Sequence, residues 1–367
     1  MSGRRLATLL ALALAVIGAA LWLGARRTAP QDTAVGEPVL RGLAAELDQV
    51  SGIRIVGAGD RALVTLERRD GDWLVRELGY AADSPRVRRL LLALGDLRVT
   101  EQKTTDPAGH ARLGVADVTD AQAQGLRLEL AGPATPRTLI VGRTAGTQGS
   151  YVRIAGQPQA LEARPALEVE RAPRAWLART VVDVAAARVQ SFEIVRSDGH
   201  GWRGAKAQRD AAHYAVEGLP RGRELTHAGA PDATAGALGN LEFDDLRRAA
   251  PRAAGERPER ATFRTFDGLV LDFEGRSAGT ERWITLTATA DRALSARFAP
   301  TARAPAPAGS PQPPAASAQA PPAGAPTPGE VQAEAARLAA RTAGWEYRLA
   351  PFRYDALFRP RDELLRH

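Results

Sequence analysis

Four places in this 367-residue chain set residues close enough together to suggest chemistry. The stretch "ERRDGDWLV" puts Asp70 and Asp72 beside Trp73. Such a pair can act as general acid and base when its surroundings hold the two pKa values apart, with the indole as a stacking surface for substrate. Asp244-Asp245 is a second carboxylate pair, and His200 and His213 follow each other across a short interval. "LIVGRTAGTQGSY" is glycine-rich enough to raise a phosphate-binding loop.

Each has a plainer reading. Asp70-Gly71 is a strong signal for a two-residue hairpin turn, which would leave both carboxylates in water and send Trp73 into a core. Asp244-Asp245 reads as a solvated strand end or a cap, and the two histidines as surface residues. The glycine-rich stretch lacks Gly-Lys-Ser/Thr and a following helix to hold a phosphate, so it reads as a connection between strands. No serine sits in a Gly-x-Ser-x-Gly elbow. His110, His200, His213, His227 and His367 show no metal-ligand spacing, and the chain has no cysteine. That excludes disulfides, thiolate catalysis and Cys-ligated zinc or iron–sulfur sites. We expect no catalytic residue, no cofactor and no metal.

A formal net charge of +7 invites a nucleic-acid partner. Lys103 and Lys206 are the only lysines, and the arginines are spread among Asp and Glu along the whole chain. Phosphate binding needs a clustered footprint, so no nucleic acid is expected. The one local concentration of interest is Arg86, Arg88 and Arg89 on a helix read from "DSPRVRRLLLALGD". There Ser84 reads as the N-cap, Pro85 as the first helical position and Gly95 as the stop, with Val87, Leu90, Leu91 and Leu94 on one apolar stripe. The three arginines are either the solvent side of that helix or a site for an acidic partner. After exposed strand edges, they are the candidate partner-binding residues.

Strands surround this helix: "SGIRIVG", "ALVTLERR" and "DWLV" before it, "GLRLELAG", "RTLIVGR" and "GSYVRIAG" after it. Several short stretches then recur. "ALGDLRV" at 93–99 returns as "ALGNLEF" at 237–243, and "GLRLELAG" at 125–132 as "GLVLDFEG" at 268–275. "GRTAGT" at 142–147 returns as "GRSAGT" at 275–280, and "RRDGDW" is echoed by "RSDGHGW". A fainter echo sets "WLARTVVDV" at 176–184 against "ALFRPRDEL" at 356–364. Their shared order predicts duplication. The fold class expected is α+β: two tandem, duplicated units of antiparallel strands with a helix, at 50–184 and 185–298. A Pro/Ala-rich stretch at 299–329 has too little apolar content to bury a core and reads as a disordered insertion. Residues 330–367 then supply a helix and a strand that complete the second unit.

The amino terminus holds an uncharged run of 20 residues from Leu6 to Ala25, long enough at about 1.5 Å per residue to cross a bilayer. Residues 1–27 therefore read as a transmembrane anchor, followed by a tether at 28–49. A cleaved signal peptide ending near Gly18-Ala19-Ala20 is the rival. Arg4 and Arg5 favour the short leader inside, leaving the body on the outer side.

The strand "IRIVGAGDRALVTLERRDGDWLV", the helix "DSPRVRRLLLALGDLRV" and the loop "DPAGHARLGV" together resemble a bacterial family, domain of unknown function 4340. So do "LIVGRTAGTQGSYVRIAG" and the closing "GWEYRLAPFRYDALFRPRDELL". The resemblance covers most of 50–298 and 344–367, and it rests on order and spacing rather than on a catalytic motif. It implies a membrane-anchored envelope protein associated with ABC-type transport components of the gliding-motility kind. It carries no catalytic residues. The expectation is a non-catalytic accessory or scaffold subunit, held in the bacterial inner membrane by residues 6–25 with its body in the periplasm. Its partner would be another membrane or envelope protein such as a transporter component. A periplasmic glycan- or lipid-binding module is the alternative.

Overall fold

A computed structural model describes residues 34–134, 137–217, 219, 222–251, 255–298 and 326–366. The expected anchor at 6–25 and most of the Pro/Ala-rich stretch lie outside the described residues. Among the described residues no helix is long and apolar enough to cross a membrane. The chain divides into two compact units between Leu177 and Ala178, ahead of the expected boundary at 184. Both are mixed α+β with antiparallel sheets.

The first unit contains α1 (Leu43–Glu46), β1 (Gly52–Gly57), β2 (Arg61–Arg69), β3 (Asp72–Val75), β4 (Tyr80–Ala81) and α2 (Ser84–Gly95). It continues with β5 (Arg98–Gln102), α3 (Pro107–Leu113), β6 (Leu126–Ala131), β7 (Arg137–Ala145), β8 (Gly149–Ile154) and β9 (Ala160–Arg164). One sheet runs β4-β3-β2-β1-β6-β7-β8-β9-β5. β1 is central: Ile53 lies opposite Leu66 and Leu130, and Ile55 opposite Val64 and Leu128. All six are buried, so a slip of one residue would turn this whole set to the other face. Asp70 and Gly71 both have positive φ, 51° and 91°, as the expected two-residue turn requires.

Helix α2 differs from expectation at both ends. Asp83, not Ser84, is the N-cap, accepting a hydrogen bond from the Arg86 backbone N–H at 2.9 Å. Gly95 is the last helical residue rather than a left-handed stop. A Cβ there would press on Leu47 at 3.2 Å and Ala44 at 3.4 Å, so the glycine lets α1 approach. The buried stripe is the expected one, Val87, Leu90, Leu91 and Leu94, each worth about 1.5–3 kcal/mol on full burial. The expected tether is also packed in its latter part. Backbone bonds join Gly36, Glu37 and Val39 to Leu97 and Val99, and Val39, Leu40 and Leu43 are buried. These apolar residues bury themselves along β5 and cover that edge of the sheet.

The second unit contains β10 (Thr180–Val182), β11 (Val189–Val195), β12 (Gly201–Ala205), β13 (Ala215–Glu217) and α4 (Asp232–Gly236). Next come β14 (Leu241–Glu242), β15 (Asp245–Arg248), β16 (Glu259–Thr265), β17 (Leu269–Ala278) and β18 (Glu281–Ala290). It closes with α5 (Arg292–Arg297), α6 (Pro328–Thr342), β19 (Trp345–Leu349) and α7 (Pro351–Leu357). Its large sheet runs β13-β12-β11-β16-β17-β18-β19-β15. β10 pairs with β14, which places residues 180–182 in this unit. The core is aromatic: Phe192 meets Trp202 edge-on at 5.1 Å, and Phe263 meets Phe273 edge-on at 5.9 Å. Helix α6 starts within the last residues assigned to the insertion. Its capping box joins Thr327 and Glu330, whose carboxylate is held below its ordinary range by accepting from the Thr327 backbone N–H and hydroxyl.

The two large sheets share one strand order once β4 is set aside: the third, second and first strands, then the sixth to ninth, then the fifth. One echo falls on an equivalent place, "GRTAGT" with "GRSAGT", joining β7–β8 and β17–β18. "ALGDLRV" leads from α2 into β5, whereas "ALGNLEF" leads from α4 into β14, outside the large sheet. Two are one strand out. "GLRLELAG" is β6 whereas "GLVLDFEG" is β17, and the Asp-Gly turns join β2 to β3 in one unit but β11 to β12 in the other. The closing echo joins segments of unlike structure, since "ALFRPRDEL" begins in α7.

Gly142 of β7 and Gly275 of β17 occupy matching places and do the same work. A Cβ at Gly142 would meet the Leu113 carbonyl and Val115, and one at Gly275 would lie 2.6 Å from the Phe358 ring and the Tyr354 hydroxyl oxygen. Each strand is left bare so that another segment of its unit can pack on it, one that precedes β7 and one that follows β17. Gly275→Ala should therefore lose about 1–3 kcal/mol in urea unfolding. Gly236→Ala, where a Cβ meets open space, should be neutral or stabilising by up to about 1 kcal/mol.

Candidate interaction surface

The sequence candidates separate cleanly. Asp70 and Asp72 are exposed at the β2–β3 turn while Trp73 is buried. Both side chains therefore face solvent rather than a shared pocket. Asp244 is half exposed and pairs with Arg179 at 3.3 Å. His200 is exposed in the β11–β12 turn against Asp198. The Asp198 carboxylate is lowered chiefly by accepting from the His200 backbone N–H. His213 Nδ1 lies 2.7 Å from Asp232, which also accepts from the Tyr214 backbone N–H. "LIVGRTAGTQGSY" is the β7–β8 hairpin. Among the described residues no cluster of His, Cys, Asp or Glu could hold a metal.

Buried charges have structural partners. Arg188 donates through Nε and Nη2 to Asp267 and through Nη1 and Nη2 to Glu334, tying α6 to the β16–β17 turn. Burial alone would lower the Arg188 pKa, but the two carboxylates outweigh it and raise it further. Glu346, 1% exposed, is held by Arg247 at 2.8 Å and by Arg276. Glu259 pairs with Arg196 at 3.1 Å, and burial near that carboxylate raises the Tyr354 phenol above its ordinary range.

The three arginines of α2 divide. Arg86 turns inward: its guanidinium donates to the Ala175 carbonyl, lies 5.8 Å over the Trp176 ring and reaches Glu170 at 3.5 Å. Trp176 is itself fully buried and donates to the Glu170 carbonyl at 3.1 Å. Arg88 and Arg89 are exposed, and Leu92, one turn beyond Arg88, is 49% exposed in a helix whose other large apolar residues are buried. Cation and apolar side chain thus share one outward face. The edges of the first sheet offer less: residues 36–39 cover β5, and beyond β4 Ala82 bridges to Leu177.

Sequence reading missed a recess of about 360 Å³ in the first unit, where Thr105, His110, Asp117, Arg153, Gln157 and Pro158 come together. Arg153 and His110 are buried. The helix α3 with the segments flanking it, and β8 with the β8–β9 connection, assemble the site, and the sequence signal was the loop "DPAGHARLGV" around His110.

The fold and surface define an α+β protein built of two antiparallel-sheet units. The sequence profile of the family described as Domain of unknown function (DUF4340) matches residues 73–259, more than half of the chain, and the chain belongs to that family. The match runs from β3 into β16 and so includes parts of both units. No curated protein and no solved structure matches the chain.

The inward and outward arginines should differ in stability measurements. Arg86→Met is expected to cost about 1–3 kcal/mol in thermal or urea unfolding, because the Ala175 carbonyl loses a charged donor. Arg88→Met and Arg89→Met should stay within about 0.5 kcal/mol of the parent.

Proposed function

We propose that this protein is a non-catalytic scaffold or accessory subunit, anchored in the bacterial inner membrane by Leu6–Ala25 with its body on the periplasmic side. It binds a neighbouring membrane or envelope protein through the outer face of α2. The observation that carries the reading is the division on that helix. Arg86 is committed to the fold, while Arg88, Arg89 and Leu92 are left exposed as a mixed basic and apolar patch. Such a patch suits an acidic-rimmed protein surface, where arginine supplies both charge and contact area. A transporter component is the partner class that the family resemblance suggests. The acids and histidines that invited catalysis are exposed in turns or paired for structure, which supports a binding role.

We infer further that the two units arose by duplication of one ancestral unit. Their common strand order and the matching glycines at 142 and 275 support this reading. The anchor rests on the length and apolarity of residues 6–25, and the orientation on Arg4 and Arg5.

The test is co-purification of the full chain from detergent extracts. The parent should bring down a stoichiometric membrane or envelope protein. The Arg88→Glu/Arg89→Glu double variant should recover less than about a tenth of it, a loss equivalent to roughly 1.4 kcal/mol or more. Equal recovery by both would refute this docking face. Fold is not at issue in the variant, since both side chains are exposed.

A further inference from the structure

We propose that the recess beside α3 binds one uncharged, hydroxyl-rich ring, a single sugar residue of an envelope glycan. The envelope source of that sugar rests on the periplasmic placement proposed above, while the recess itself does not depend on the docking face of α2.

The donors and acceptors are set by the fold. His110 Nε2 lies 2.7 Å from the Pro158 carbonyl oxygen, which can only accept. Nε2 therefore carries the proton, and in the neutral ring Nδ1 is left as an acceptor. Arg153, 4% exposed, donates from Nε to the Val115 carbonyl at 2.8 Å and from Nη1 to the Gln157 carbonyl at 2.9 Å. Its Nη2 meets Asp117 Oδ2 at 3.1 Å. A guanidinium has five N–H donors, so this geometry leaves two beyond those three bonds. Asp117 is 58% exposed in its side chain and keeps a second carboxylate oxygen for a ligand. Thr105 and Gln157 also line the recess.

Charge and polarity select the ligand class. Asp117 balances the Arg153 charge, so an anion reaching the remaining guanidinium N–H groups would meet the carboxylate beside them. A purely apolar ligand would strip water from the guanidinium and the carboxylate without replacing it, which is costly. A neutral polyol meets both donors and acceptors. The volume of about 360 Å³ lies at the small end of ligand sites and suits one ring rather than a chain.

The second unit places a concavity at the same position. Aligning "GRTAGT" with "GRSAGT" carries Ala155-Gly156-Gln157, after β8, onto Ala288-Thr289-Ala290, at the end of β18. That second stretch lines a recess of about 640 Å³ together with Arg292, Gln332 and Ala335. The same strand end is thus hollowed in both units, and only the first lines it with a buried guanidinium and an imidazole.

Saturation-transfer NMR on the detergent-solubilised full chain tests this, with N-acetylglucosamine and glucose as probes and inorganic phosphate as competitor. Transfer to sugar ring protons is expected, unaffected by phosphate and retained in the Arg88→Glu/Arg89→Glu variant. Asp117→Asn should weaken binding at least about tenfold, and Thr105→Val, at another lining residue, should weaken it too. Absence of transfer from both sugars, undiminished transfer in both recess variants, or displacement by phosphate would each overturn the proposal.

Discussion

The first unit is governed by a problem of reach. β4 and β5 stand at opposite edges of one nine-stranded sheet, yet only residues 82–97 join them. Eight strand spacings would separate the edges of a flat sheet by about 38 Å. From Ala81 to Arg98 the eleven steps within α2 cover about 17 Å, and the six steps outside it cover about 20 Å when extended. The connection has almost no slack over a flat sheet, and the native twist of strands shortens the path it must cover. Along that path α2 buries one continuous apolar stripe, Gly95 admits α1, and the opposite face is left outside with Arg88, Arg89 and Leu92.

Arginine does structural work in this chain that lysine could not. Arg153 meets two carbonyls and a carboxylate from one planar group, and Arg188 bridges Asp267 and Glu334 at once. An ammonium has the charge but not the fixed fork. A basic composition that suggested nucleic acid is thus accounted for in part by pairs that hold sheets, turns and helices together. Breaking such a buried pair leaves a carboxylate without its counter-charge, which usually costs more than the pair contributes.

Much of the fold was legible because it depended on local rules. The Asp70-Gly71 turn and the stripe of α2 each follow from a few adjacent residues. The alignment between units was only half legible. Antiparallel strands share the same period-two pattern, so β6 resembled β17 as well as it resembled β16, the strand at its own position in the sheet order. Helices α3, α4 and α7 have 7, 5 and 7 residues, too short to establish a helical period. The division of labour among Arg86, Arg88 and Arg89 was invisible too, because Ala175 and Glu170 reach Arg86 only through the folded chain. His110 and Arg153 met for the same reason, across more than forty residues of sequence.

The account rests on the outer face of α2 meeting another protein at the membrane. The chain contains no cysteine, so an Arg89→Cys variant carries a unique thiol there. With a short, membrane-impermeant thiol-to-amine crosslinker on cells with permeabilised outer membranes, it should give one discrete adduct with a second membrane or envelope protein. A cysteine in place of exposed Ser197, in the β11–β12 turn, should label without that adduct. A thiol at position 89 that labels but joins nothing, or the same adduct from both positions, would contradict the account.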